Sequence, residues 1–155
     1  MEYLSVKWLH ILSSTILFGT GIGSAFYMLA FTLTRDSRLV AAVARKVVLA
    51  DWLFTTPTVI LQPVTGFWMM GLTGMPMSAR WISWSLVLYA IAVASWLPVV
   101  WLQMRMRDVA QEAADAGKSL DARYWRYFRL WFVLGWPAFI AFLGIFYLMV
   151  FKPVR

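Results

Sequence analysis

Cysteine is absent from the 155 residues and histidine occurs once. Disulfides, cysteine-held iron–sulfur clusters and thiolate zinc sites are therefore excluded, and imidazole chemistry has one address, His10. Charge is also scarce, at 14% of residues, and acidic side chains number only 7 against 14 Lys and Arg. No Walker motif, GxSxG, HExxH or dinucleotide fingerprint occurs, which leaves the common hydrolytic and nucleotide-dependent classes without their signatures. What the chain has in excess is apolar surface. Sixty-two per cent of residues are hydrophobic, 17% are aromatic and the mean hydropathy is +0.71. In such a chain the net charge of +7 reads as membrane topology and contact with anionic lipid, and no nucleic-acid partner is expected.

Four apolar runs, at about 6–33, 39–72, 79–112 and 123–151, each supply the ~20 residues that cross a ~30 Å hydrocarbon core. Backbone groups in lipid must be satisfied within their own element, so these runs read as spanning helices. The expectation is an all-α integral membrane protein, a four-transmembrane-helix bundle forming one domain over residues 1–155. The first run outlasts an ordinary signal h-region and no small-residue cleavage site ends it, so it reads as a retained span. The breaks are Thr34 to Ser37, the proline-marked Thr73-Gly74-Met75-Pro76, and Ala116-Gly117-Lys118-Ser119. Arg35, Arg38, Arg45, Lys46, Arg105, Arg107, Lys118, Arg123, Arg126 and Arg129 lie on one side, and Lys7, Arg80, Lys152 and Arg155 on the other. The positive-inside rule then places both termini on the non-cytoplasmic face.

His10 shares a helical stripe with Ser14, Leu17, Gly21 and Met28, on a helix thinned by Gly19, Gly21 and Gly23. Small residues let a neighbouring helix approach closely, in this chain or in a second copy, and they also make room for a flat cofactor. His10 is thus a metal or haem ligand, or an interfacial histidine in a glycine-packed contact. On the second run, Asp51, Thr55, Thr58, Gln62 and Gly66 recur at steps of three or four, with Gln62 at the level of His10. Asp51 lies about one turn inside Arg45 and Lys46 and reads as their ion-pair partner at the membrane boundary, with proton relay as the other reading. Pro57 and Pro63 each free a carbonyl one turn earlier and can kink the helix. Met69, Met70, Met75 and Met77 cluster on the side of His10; thioethers suit Cu(I) or complete a His/Met haem site, and methionine also serves as apolar filler. Arg123, Arg126 and Arg129, interleaved with Tyr124, Trp125, Tyr127 and Phe128, look like a headgroup anchor, and Gln103 beside Arg105 like a basic flank.

The segments YLSVKWLHILSSTILFGTGIGSAFYM, DWLFTTPTVILQPVTGFWMM and YFRLWFVLGWPAFIAFLGIFYLMVFKP strongly resemble the bacterial integral membrane family known as domain of unknown function 2269, along essentially the whole chain. More distantly, VKWLHI, TPTVILQPVTG and the closing FKP are similar to HemJ-type protoporphyrinogen oxidase and CopD-like membrane proteins. The oxidase resemblance implies haem b with His10 as an axial ligand; its further histidines have no counterpart here. Three readings follow. In the first, a haem-b protein serves electron transfer or porphyrin oxidation with a redox partner or quinone. There His10 is the ligand, and Ser14, Gly21, Thr58 and Gln62 line the pocket. In the second, His10, Met69 and Met70 handle Cu(I). In the third, the chain is a non-catalytic accessory subunit that oligomerises through its glycine-rich first helix.

Overall fold

The computed structural model describes residues 1–153, so Arg155 lies outside the described residues. Helix α1 covers Glu2–Leu33, α2 Ser37–Ala50, α3 Thr56–Thr73, α4 Arg80–Asp115 and α5 Ala122–Phe151. A π-helical turn, Asp51–Thr55, joins α2 to α3, so these two form one span from Ser37 to Thr73. Among the described residues four helices are long and apolar enough to cross a membrane and no strand occurs. The chain is an all-α integral membrane protein.

Proline accounts for the π turn. Pro57 has no N–H for the Leu53 carbonyl, and its ring would crowd that carbonyl in a tight α turn. Widening the preceding turn relieves the clash: the Thr56 N–H bonds the Asp51 carbonyl, five residues back. The hydroxyls of Thr56 and Thr58 then donate to the Asp51 and Phe54 carbonyls at 3.0 and 2.6 Å. Pro63 leaves the Val59 carbonyl without its intrahelical donor, and the Tyr89 hydroxyl of α4 donates to it across the helix pair. Elsewhere the helix ends follow local rules. Asp36 and Asp121 cap α2 and α5, while Gly74 and Gly117 take the left-handed conformation, φ +64° and +63°, that lets α3 and α4 stop.

The spans run antiparallel. At the end with fewer cations, Trp68 Nε1 donates to Glu2 at 3.1 Å and the Lys152 ammonium lies 5.6 Å from the Trp81 ring centre. At the basic end, α2 and the second half of α4 pack Val40, Ala41 and Ala44 against Met106, Val109 and Ala110 in the main apolar cluster, which Tyr124 completes. Tyr124 is fully buried and shares a 2.7 Å hydrogen bond with Thr32, so it ties α5 to α1 and takes no part in a headgroup anchor. Arg123 does not reach for lipid either, since it pairs with Glu112 and Asp121 at 3.0 and 2.8 Å. Helix α1 packs on α3 and α4 on α5, and a cavity lies between these two pairs.

Candidate functional site

His10 faces α3, and three hydroxyl or amide groups fix it there. Its Nδ1 lies 2.7 Å from Thr65 Oγ1. The Thr65 hydroxyl also lies 2.7 Å from the Leu61 carbonyl and 3.2 Å from the Gln62 carbonyl; with its proton on either carbonyl, its oxygen accepts from the Nδ1–H tautomer of His10. The ring's remaining nitrogen, Nε2, then carries the lone pair. Gln62 donates to the His10 carbonyl at 2.9 Å and to Ser13 Oγ, while Ser13 donates to the same carbonyl at 3.1 Å. Gly66 completes the seat: a methyl group built there would meet His10 Cε1 at 3.6 Å, ordinary contact distance, so the edge of the ring at Cε1 rests against α3.

Of the residues expected around His10, the structure brings only Gln62 to it. Ser14 turns back on its own helix and donates to the Ile11 carbonyl at 2.7 Å. Thr58 is occupied by the Phe54 and Thr55 carbonyls. Gly21 lies three turns further along α1 and lines a separate cavity. Met69 follows Thr65 by one turn on the same face of α3, and Met70 is its neighbour; both are half-buried. Met75 and Met77 are exposed in the connection beyond α3. Ser13 and Thr65 are the residues of this cluster that sequence reasoning missed. Both sit at turns of three or four from His10 and Gln62, but short hydroxyl side chains are common in such helices, and the pairing across helices gives no signal within either segment.

Between the two helix pairs lies a cavity of about 370 Å³ lined by all four spans. Phe18, Val93, Trp96 and Phe139 form apolar walls, and Asp51, Gln103 and Trp131 form its polar end, at the π turn. Asp51 Oδ1 accepts from Thr55 at 2.9 Å. The expected ion pair with Arg45 and Lys46 does not form. Asp51 is 4% exposed, whereas both cations are exposed; five and six residues back on a helix, they point well over 90° away. The polar stripe of the second span is accordingly divided. Asp51 and Thr55 face the cavity and α4, while Gln62 and Thr65 face α1. Gln103, expected as part of a basic flank, is buried against the same cavity.

The glycines of α1 have no neighbour to admit. A methyl group built on Gly19, Gly21 or Gly23 meets nothing within 4 Å, whereas one on Gly144 comes 2.8 Å from Leu88 Cδ1. Close helix packing within this chain is therefore a property of Gly144, where α5 meets α4, and the α1 glycines border open space. Among the described residues no group of three or more His, Cys, Asp or Glu side chains could hold a metal ion.

One comparison with known proteins is informative. The family model described as "Predicted integral membrane protein (DUF2269)" matches residues 4–153. No curated protein and no solved structure matches the chain.

Proposed function

The chain belongs to the predicted integral membrane protein family DUF2269, and from the seat of its one histidine we propose that it is a haem-b-binding membrane protein with His10 as an axial ligand. One observation carries the reading: the 2.7 Å contact from His10 Nδ1 to the Thr65 hydroxyl, which also lies 2.7 Å from the Leu61 carbonyl. Metal-bound histidines characteristically donate their other ring N–H to a fixed acceptor, which sets the tautomer and the ring plane. Here the free nitrogen is Nε2, and Gln62 and Ser13 hold the backbone beneath it. A soft or neutral second ligand, or an open position, would complete the iron, since the chain has no other histidine and no cysteine.

A bound haem would supply a reversible one-electron couple, and electron transfer with a membrane-dissolved or protein partner is the activity this arrangement suits. The residues contribute position and polarity: Thr65 would orient the imidazole, and Gln62 ties α3 to the His10 backbone of α1. We assign the protein to a bacterial inner membrane, with the end carrying Arg35, Arg38, Arg45 and Lys46 in the cytoplasm, on the positive-inside rule. The test is a spectrum of protein purified in mild detergent from haem-replete cells, oxidised and dithionite-reduced. A Soret band with sharpened reduced bands at near-stoichiometric haem is expected. A spectrum of protein alone, unchanged after incubation with haemin, would overturn the proposal.

A further inference from the structure

The cavity between the four spans carries its own chemistry, and His10 does not line it. Three side chains at its polar end are each more than nine-tenths buried: Asp51 at 4%, Gln103 at 4% and Trp131 at 5% exposure. Each has one polar atom without a hydrogen-bond partner, namely Asp51 Oδ2, Gln103 Oε1 and Trp131 Nε1. An orphaned buried polar atom costs free energy, and three of them around one space point to something that fills it. The carboxylate is the decisive member. Among the described residues the ion pairs are Arg107 with Asp108 and Arg123 with Glu112 and Asp121, and none reaches Asp51. Arg105, the next cation along α4, lies over the Trp101 ring at 5.4 Å.

We infer that this cavity binds a lipophilic amine in its ammonium form, with the cation on Asp51 and Gln103 and the apolar body between Phe18, Val93, Trp96 and Phe139. The Gln103 side chain also reaches Asp51, and the two acceptor atoms left unfilled there, Asp51 Oδ2 and Gln103 Oε1, match an ammonium's N–H donors. The buried carboxylate gains the counter-charge that the protein withholds. Trp131 Nε1–H is left for an oxygen on the same ligand. The volume suits a small molecule. Entry is lateral: Ile22 and Phe26 of α1 and Phe132 and Trp136 of α5 line the cavity and are also exposed on the lipid-facing surface. A ligand dissolved in the bilayer thus reaches the site without crossing water.

The chain in lipid nanodiscs is titrated calorimetrically with 4-phenylbutylammonium and with its neutral counterpart, 4-phenylbutanol. Saturable binding of the ammonium is expected, with the alcohol weaker by at least about tenfold, or ~1.4 kcal/mol. Asp51→Asn should remove that preference. Gly21→Leu, which projects a side chain into the cavity from a position with nothing within 4 Å, should abolish binding of both probes. It replaces a poor helix former with a good one, so it keeps a folded control in the series. Equal affinity for the two probes, no saturable binding of the ammonium, or a Gly21→Leu protein that titrates like wild type would overturn the site.

Discussion

The Thr65 hydroxyl lies 2.7 Å from both His10 Nδ1 and the Leu61 carbonyl; with its one proton on the carbonyl, its oxygen is the acceptor for His10 Nδ1–H. Thr65→Val keeps the shape and removes that acceptor. The imidazole is then free to change tautomer and to rotate, and haem affinity should fall by about 10- to 100-fold while the spans remain folded. Equal affinity in a haemin titration of the variant would show that Thr65 does not orient the ligand. His10 itself was legible as the chemistry-bearing residue because no other imidazole or thiol exists. Its partners were legible only in part: Gln62 follows from depth along the span, whereas Thr65 requires knowing which face of α3 meets α1. Asp51 shows the same limit. Sequence proximity to Arg45 and Lys46 suggested an ion pair, but the helical angle between them decides against it.

The elements are shaped by proline, and their hydrogen-bond consequences can be measured. Tyr89 donates to the Val59 carbonyl that Pro63 leaves without an N–H. Tyr89→Phe should therefore destabilise the wild type by about 0.6 kcal/mol, the usual size of an interhelical hydrogen bond in a membrane protein. In a Pro63→Ala background residue 63 can donate to Val59 itself, and the same substitution should cost less. Purely additive effects in reversible unfolding would break this link. At the start of α5, the Arg123 side chain bonded to Asp121 holds that carboxyl below its ordinary value. A depressed value means the contribution is complete above the ordinary aspartate value of 3.8 and is lost as pH falls through the folded-state value. Asp121→Ala should accordingly cost ~1 kcal/mol at neutral pH and progressively less in strong acid; a pH-independent penalty would contradict the cap. The helices were readable from hydropathy and their ends from Gly74, Gly117 and the capping aspartates. The π turn was not, because Pro57 predicts a disturbance without saying whether the helix kinks or widens.

At the scale of the whole molecule, the spans follow from composition, but their pairing does not. A glycine-rich α1 suggested close packing in this chain or with a second copy; within this chain Gly19, Gly21 and Gly23 meet no neighbour, and Gly144 makes the tight contact with α4. Nothing within a single apolar helix states which neighbour it will meet. Likewise Tyr124 read as an interfacial aromatic by its place beside arginines, yet it is buried, because its face of α5 turns inward. Orientation is testable on a chain with no cysteine. Single cysteines at Ser119 and Met77 should react with a membrane-impermeant maleimide from opposite sides, Ser119 only after the cytoplasmic face is opened. Reaction of Ser119→Cys in intact cells would reverse the topology.

The most direct test of the central claim is chemical rescue of the ligand. His10→Gly, purified from the same haem-replete cells, should lose its haem, and added imidazole with haemin should restore a Soret band and reduced spectrum close to wild type. A His10→Gly protein that retains full haem without imidazole would remove His10 from the iron and contradict the reading at its base.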